Sequence, residues 1–188
     1  MKNLKSIFII PARKGSKGIP NKNIKKLFGK PLLKYTTDFA KQIKTSNDII
    51  CVTTNDQRVK NMIKNDNEIE LINRPNNLAL DSTPMQDVID HVIKFYGDKN
   101  IFFNSIVLLQ PTSPIRKISD FKKIKKEFNI NLDMVVSVKK AKENPYYLLY
   151  EENHKGFIEK SKPLKVIRRQ DVPDVYCLNG SFFMINTA

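Results

Sequence analysis

The sequence predicts an α/β fold with a mostly parallel central sheet. Its first four predicted strands span residues 7–10, 49–52, 69–72 and 105–109, and all of these residues are apolar except Glu70 and Ser105. Proline or polar residues bound these runs, which is typical of parallel strands that are buried on both faces. Segments with helical spacing of apolar residues separate the runs. Strands that alternate with helices in this way give an α/β sheet with right-handed crossovers.

The spacing of apolar residues also predicts four helices between and after these strands. The first covers residues 32–44, and a shorter second helix lies near residue 60. Thr83 is expected to cap the third helix, with Pro84 at its first helical position. The fourth begins at Ser119 and turns its lysines toward solvent. Each helix has an apolar face that can cover the sheet.

The last part of the chain has a different character. Strands are predicted at residues 133–138 and 181–185, and the region between them is rich in tyrosine, proline and turn-forming residues. This pattern indicates short strands that leave the main sheet. We expect residues of about 140–167 to form an arm whose exposed aromatic side chains contact a second copy of the chain.

Length and composition place the chain among globular proteins. At 188 residues with 40% hydrophobic residues, residues 1–188 are predicted to form a single domain. No run reaches the ~18 apolar residues of a membrane helix, and the first residues already read as a strand and loop. We therefore expect a cytoplasmic protein without a signal peptide. Cys51 and Cys177 are interpreted as reduced thiols.

The net charge of +14 raises the possibility of a nucleic-acid-binding protein. The lysines, however, are scattered along the chain rather than gathered on one element, which indicates a solvated surface. The letters GSKG at residues 15–18 formally satisfy the GXXG loop of RNA-binding KH domains. A KH loop joins two helices, whereas this loop follows a strand. An RNA-binding module is thus the least favoured alternative, and we expect neither nucleic acid nor membrane as a partner.

The loop after the first strand has the composition of an anion site. Between residues 12 and 23 it contains four cations and two glycines but no acidic residue. Glycines let the backbone approach a ligand closely, so that successive N–H groups can surround phosphate oxygens. The loop contains neither the GxxxxGK[ST] nor the GxGxxG phosphate motif. Three further polar loops, at residues 53–56, at 110–116 and before 179, indicate one cleft along the carboxyl edge of the sheet.

Several separate sequence motifs of the chain resemble those of one protein family. They are ARKGSKGIPNKN followed by GKPL, then RP..LA.D.T, LLQPTSPIR, RRQ..P and NGS, in this order between residues 7 and 187. The chain in this respect resembles the acylneuraminate cytidylyltransferases, also called CMP-sialic acid synthetases. The resemblance implies a Rossmann-like three-layer nucleotidyltransferase fold with a mostly parallel sheet. It also implies a small β-rich dimerisation arm, and hence a homodimer.

The resemblance further implies an activity and a set of site residues. The family transfers CMP from CTP to the anomeric hydroxyl of a sialic-acid-like nonulosonic acid and releases pyrophosphate, with Mg²⁺. The positions that carry over are Arg13, Ser16 and Lys22 for the triphosphate, Asn23 for the nucleotide, Arg74, Asp81 and Ser82 for the cytosine, Gln110 and Ser113 for the floor of the sugar site, and Arg169 for the sugar carboxylate. Arg13 and Lys22 are the expected catalytic residues, because their charges would offset charge developing on the phosphates.

Three departures from the family pattern bear on these expectations. Asn55 stands where the family often has an aspartate, which leaves Asp56 as the acidic residue of the second loop. Cys177 stands where some members have an arginine. The family's metal-binding motif, which resembles DIDxxxD, would follow Ala188. The metal ligands are therefore mostly expected in that C-terminal segment, and none is assigned here. A truncated, non-catalytic nucleotide-binding domain of the same fold is the main alternative.

Overall fold

A six-stranded sheet is the central feature of the computed structural model, which describes residues 5–15, 18–165 and 168–187. The chain divides into two units. The first extends through Ser137 and resumes at Gly180, and the second is Val138–Asn179. The described strands are β1 (Ser6–Pro11), β2 (Lys26–Leu27), β3 (Lys30–Pro31), β4 (Ile49–Thr54), β5 (Ile69–Asn73), β6 (Ser105–Leu108), β7 (Met134–Lys140), β8 (Tyr150–Glu152), β9 (Ile158–Lys160) and β10 (Tyr176–Asn186).

The strand order of the main sheet is β5-β4-β1-β6-β10-β7. The pairs β5 with β4, β4 with β1, and β1 with β6 are parallel. Strand β10 runs antiparallel to β6, with Phe183 opposite Leu108. The predicted, mostly parallel sheet is therefore confirmed, and each apolar run of the sequence forms one of its strands.

Helices cover both faces of this sheet. They are α1 (Leu32–Ile43), α2 (Gln57–Ile63), α3 (Met85–Gly97) and α4 (Ile118–Glu127). Successive side chains of a strand point to opposite faces. Accordingly, Phe8 and Ile10 of β1 pack in one apolar cluster with residues of α1, α2 and α4, whereas Ile7 and Ile9 pack in another with residues of α3. The three-layer arrangement is thus confirmed.

The start of α3 differs from the prediction. Pro84 has extended dihedral angles, φ −59° and ψ 146°, and forms the N-cap, so the helix begins at Met85. Thr83 does not cap the helix. Its hydroxyl instead donates to the carbonyl oxygen of Asn77 at 3.2 Å. The prediction for Thr83 was wrong because the extended proline places the threonine one residue too early to reach the first helical N–H groups.

A two-stranded ribbon, β2 with β3, follows the first loop and was not predicted. Its turn contains Phe28 and Gly29, whose φ angles are 46° and 81°. Two consecutive positive φ angles are typical of the tight turns of two-residue hairpins. The Leu32 N–H donates to the Lys25 carbonyl oxygen at 2.9 Å. The ribbon thereby connects the first loop to the start of α1.

The second unit contains the predicted excursion of short strands. Strands β8 and β9 pair antiparallel, with Tyr150 opposite Lys160. The N–H of Ala141 donates to the Val175 carbonyl oxygen at 2.7 Å. The predicted arm, residues 140–167, falls within this unit, and its role in dimerisation stays a prediction. Across both units, none of the described helices has the length and apolar character needed to cross a lipid bilayer.

Candidate functional site

A cavity of about 170 Å³ lies where β1, β5 and β6 end. These strands are parallel members of one sheet, so their carboxyl ends share an edge. The lining residues are Pro11, Arg13, Lys22, Asn23, Arg74, Met85, Gln110, Pro111 and Thr112. Five of them were predicted site residues: Arg13, Lys22, Asn23, Arg74 and Gln110. The sequence therefore brings residues from distant loops to one cavity at the expected edge.

The first loop is held in place by the loop after β4. The N–H of Ala12 donates to the Thr53 carbonyl oxygen at 3.0 Å, and the hydroxyl of Thr54 donates to the Ala12 carbonyl oxygen at 2.6 Å. The N–H of Lys14 donates to the side-chain oxygen of Asn55 at 2.8 Å. The polar residues that follow β4 thus orient the cationic loop.

Asn23 is buried and fixes the backbone next to the first cation. Its side-chain amide donates to the Arg13 carbonyl oxygen at 3.1 Å. The guanidinium of Arg13 donates to the Gly15 carbonyl oxygen at 2.5 Å and forms an ion pair with Asp81. The residue predicted to hold the triphosphate therefore meets a residue of the segment predicted to read the cytosine.

Lys22 and Arg74 complete the cationic lining. Arg74 is 3% exposed, and its guanidinium donates to the Thr53 carbonyl oxygen at 3.1 Å. Burial, followed by repulsion from Arg13, lowers the pKa of Arg74 to about 10. The same two causes, in the same order, lower the pKa of Lys22. Mutual repulsion among cations is relieved when an anion enters, so the cavity is suited to a phosphorylated ligand.

The loop after β6 contributes Gln110 and lies against Gly180. The Ser113 N–H donates to the Gln110 carbonyl oxygen at 3.1 Å. Gly180 has a φ of +70°, and a Cβ atom there would lie 3.4 Å from the side-chain oxygen of Gln110 and 3.7 Å from the Ser113 hydroxyl. Both side chains predicted for the sugar site are therefore in close proximity to the backbone of β10.

The remaining predicted residues have other positions. Ser16 lies outside the described residues. Ser82 is exposed in the turn before α3. Arg169 belongs to the second unit, where it begins a short 3₁₀ helix and lines a cavity of about 440 Å³ that is formed by that unit's own residues.

Asp56 has a structural role. It is the N-cap of α2 and accepts from the Arg58 N–H at 3.0 Å. Its carboxylate also pairs with the Arg58 guanidinium at 2.8 Å. The side-chain hydrogen bond from Arg58 is the main cause that lowers the pKa of Asp56. Asp56, the acidic residue of the second loop, thus stabilises the start of α2.

Arg116, Thr54 and Asn55 support the site but were not among the predicted site residues. Arg116 donates to the Gln110 carbonyl oxygen, and Thr54 and Asn55 hold the first loop. Arg116 could have been predicted as a support of the site because it is the first cation of the proline-rich segment after β6. His91 of α3 is half-buried, and its Nδ1 has no hydrogen-bond partner among the described residues. Burial, followed by the charge of Arg74, lowers the pKa of His91.

The described residues do not form a magnesium site by themselves. None of their His, Cys, Asp and Glu side chains form a group of three that could hold a metal ion. The described residues that line the cavity include no aspartate or glutamate, and the adjacent Asp81 pairs with Arg13. Mg²⁺ prefers carboxylate, water and phosphate oxygens in an octahedral arrangement. The cavity lining offers cations and amides instead.

Cations and amides at the carboxyl ends of parallel strands define a class of protein. It is an α/β protein whose sheet edge has a cationic cavity that is chemically suited to a phosphorylated ligand. Sequence comparison then specifies the family. The chain belongs to the cytidylyltransferase family, whose sequence pattern matches residues 7–186.

Two curated relatives illustrate this membership. The chain is similar to an N-acylneuraminate cytidylyltransferase from Streptococcus agalactiae serotype III, with 32% identity over 97% of this chain and 44% of the relative. It is also similar to a CMP-N,N'-diacetyllegionaminic acid synthase from Legionella pneumophila, with 29% identity over 96% of this chain and 78% of the relative. The chain thus spans less than half the length of the first relative.

A solved structure supports the fold assignment. The chain is similar to CMP:2-keto-3-deoxy-manno-octonic acid synthetase, whose structure was determined in complex with CTP. The TM-score is 0.69 and the sequence identity 18%, over 97% of this chain and 74% of that chain. At this identity the similarity establishes the fold, which is the predicted nucleotidyltransferase fold.

Proposed function

We propose that the chain transfers CMP from CTP to the anomeric hydroxyl of a sialic-acid-like nonulosonic acid. The observation that carries this proposal is the convergence of Arg13, Lys22 and Arg74 on one cavity together with the amides of Asn23 and Gln110. Arg13 and Lys22 carry the charge that suits a triphosphate. The side chains of Arg74, Asn23 and Gln110 offer hydrogen bonds to the neutral parts of the nucleotide and of the acceptor. The names of the relatives support a nonulosonic acid as the acceptor.

In the proposed reaction the anomeric oxygen attacks the α-phosphorus of CTP. A new P–O bond forms, and the bond from the α-phosphorus to the bridging oxygen breaks. Pyrophosphate leaves with the electron pair, and the hydroxyl proton passes to solvent. Catalysis of such a transfer is mainly positioning and charge stabilisation. Arg13 and Lys22 would stabilise the negative charge that grows on the leaving pyrophosphate.

The other predicted contacts belong to the same proposal. Arg74, Asp81 and Ser82 are assigned to the cytosine, and Gln110 and Ser113 to the acceptor sugar. The proposed partner of the sugar carboxylate is Arg169, since a guanidinium matches a carboxylate with two parallel hydrogen bonds. Asn23 is assigned to the nucleotide, and Ser16, which lies outside the described residues, is assigned to the triphosphate.

We further propose that Mg²⁺ accompanies CTP. Nucleotide-bound Mg²⁺ takes several ligands from phosphate oxygens and water, so it needs few protein carboxylates. The proposal predicts that chelation of divalent cations with EDTA weakens CTP binding, and that added Mg²⁺ restores it. Equal CTP affinity with and without divalent cations would contradict this part of the proposal.

A homodimer in the cytoplasm is also proposed. In the second unit, Phe157 and Ile158 are 69% and 74% exposed, and Leu148 and Tyr150 are also exposed. Exposed apolar side chains on a short hairpin suit burial against a second copy. Light scattering at micromolar concentration should give twice the mass of the chain, and Phe157→Ser with Ile158→Ser should give the monomer mass. A monomeric parent chain would overturn the proposal.

The activity is tested by mixing the chain with CTP, Mg²⁺ and sialic, legionaminic or pseudaminic acid in separate reactions. Release of pyrophosphate and formation of a CMP-sugar with one of these acids are expected. The matched control is Lys123→Met, which alters an exposed cation on α4. Lack of turnover with every acceptor would contradict the transfer reaction.

The second candidate is a nucleotide-binding domain without turnover. The observation that favours it is the lack of any acidic metal-binding group within the part of the chain that the structure describes. It predicts that CTP raises the melting temperature although no pyrophosphate appears. Arg13→Ala should weaken CTP binding by about tenfold or more, because a charged hydrogen bond is lost. Unchanged CTP binding by this variant would contradict both candidates.

A further inference from the structure

A half-buried arginine, Arg116, connects three parts of the first unit. Its Nε donates to the Ser181 carbonyl oxygen of β10 at 2.9 Å. Its Nη1 donates to the Thr36 hydroxyl of α1 at 3.1 Å, and its Nη2 donates to the Gln110 carbonyl oxygen at 2.7 Å. The rigid fork of a guanidinium fixes the three acceptors relative to one another. Arg116 therefore determines where the loop after β6 lies.

The guanidinium of Arg116 forms no ion pair with a carboxylate of the described residues. Its carbon lies 5.9 Å from the ring centre of Phe39 and 5.7 Å from that of Phe182, which is within the range of cation–π interactions. Burial lowers the pKa of Arg116 to about 10. A buried cation is costly unless its donors are satisfied. Its contacts with three oxygen acceptors indicate that its geometry, rather than neutralisation of an acid, is what it contributes.

The loop held by Arg116 carries both residues that were assigned to the acceptor sugar. The Gln110 carbonyl oxygen accepts from Arg116 and also from the Ser113 N–H. On its other side, the loop packs so closely on Gly180 that a Cβ atom there would lie 3.4 Å from the Gln110 side-chain oxygen. A change in the position of the loop would thus move the side chains of Gln110 and Ser113 together.

We propose that Arg116 is a positioning residue for the acceptor. Its guanidinium holds the Gln110 carbonyl oxygen, so that the Gln110 and Ser113 side chains keep the spacing on which acceptor affinity depends. The inference rests on the proposed function, which assigns the acceptor to these side chains. The cavity residue Arg13 is held by other contacts, because its guanidinium donates to the Gly15 carbonyl oxygen and pairs with Asp81. Loss of the fork should therefore affect the acceptor more than CTP.

The first test is the kinetics of Arg116→Lys, which keeps the charge but loses the fork. The KM for the acceptor should rise about tenfold or more, since a charged hydrogen bond is lost, whereas the KM for CTP should change by no more than about twofold. Lys99→Met is the control, because Lys99 is also a cation packed on aromatic rings but contacts Glu70 and Phe95 instead of the loop. Equal rises in both KM values for Arg116→Lys would overturn the inference.

The second test needs no turnover and so separates this inference from the proposed function. In Arg116→Lys the Ser113 amide should exchange its hydrogen about tenfold faster than in the parent chain, while amides of β1 and β4 keep their rates. Thr36→Val removes one acceptor of Arg116 and should cause a smaller acceleration at the same amide. An unchanged Ser113 rate in Arg116→Lys would overturn the inference. A parent chain without activity would overturn the proposed function, and the exchange rates would still decide the role of Arg116.

Discussion

Arg13 and Asp81 lie 68 residues apart in the chain and form an ion pair beside the cavity. Each side chain is partly exposed, so the pair itself contributes little stability. Its main consequence is electrostatic. In the absence of a ligand, Asp81 neutralises a cation that a phosphorylated ligand would otherwise meet unpaired.

Replacing this carboxylate should strengthen the binding of a simple anion. Asp81→Asn should bind pyrophosphate about two- to fivefold more tightly than the parent chain, because Arg13 no longer pairs with a carboxylate that competes with the anion. Isothermal titration calorimetry at low ionic strength measures this directly. Asp87→Asn on α3 is the control. Weaker binding by Asp81→Asn would contradict the competition between Asp81 and the anion.

CTP affinity should fall at alkaline pH. Burial and Arg13 lower the pKa of Lys22, and only the protonated amine attracts an anion. Affinity should therefore decline as pH rises through this lowered pKa, earlier than for a lysine in water. Phosphate monoesters ionise at about pH 6, so the ligand's charge is constant in this range.

Lys22→Arg provides the comparison, since a guanidinium stays charged at alkaline pH. The decline in CTP affinity should shift to higher pH in this variant. Titrations from about pH 7 to about pH 11 measure the two curves, because this range includes the ordinary lysine pKa of about 10.4 and lower values. Superimposable curves would assign the decline to another group.

Asp56 should contribute to stability at neutral pH. Asp56→Ala removes the N-cap of α2 and the ion pair with Arg58, at a cost of about 1–2 kcal/mol in the free energy of unfolding. The carboxyl pKa is lowered in the folded chain, so this contribution is present above the unfolded pKa and is lost as pH falls through the lowered value. Urea unfolding of both chains at neutral and acidic pH tests this. Asp120→Ala, which changes an exposed carboxylate, should have a much smaller effect.

Two glycine substitutions should change the free energy of unfolding in opposite directions. Gly180→Ala places a Cβ atom at a φ of +70° and close to Gln110, so it should lower the free energy of unfolding by about 1 kcal/mol or more. Gly97→Ala at the end of α3 meets open space and should raise it by about 0.5 kcal/mol. Chemical denaturation measures both values. Equal effects of the two substitutions would contradict the assigned close contact at Gly180.

The regular parts of this fold follow from local patterns. Ile7 to Ile10 and the other apolar runs identified the strands because parallel strands are buried on both faces. The ribbon at Phe28 was missed since its two-residue strands are too short to show a period. The prediction that Thr83 caps α3 was wrong because Pro84 is extended and forms the N-cap itself, and its ψ angle depends on its surroundings. Five of the residues that line the cavity were predicted through motifs. Arg116 was missed because its three acceptors come from separate elements.

The pairing of β6 with β10 also bears on how the chain folds during synthesis. Strands β1, β4, β5 and β6 can pair as soon as residue 108 has left the ribosome. The partner of Leu108 on the remaining edge of β6 is Phe183, which is made only after the whole second unit. Until then β6 presents unpaired backbone groups to other nascent chains. A chaperone that covers exposed strand edges should therefore increase the yield of folded protein.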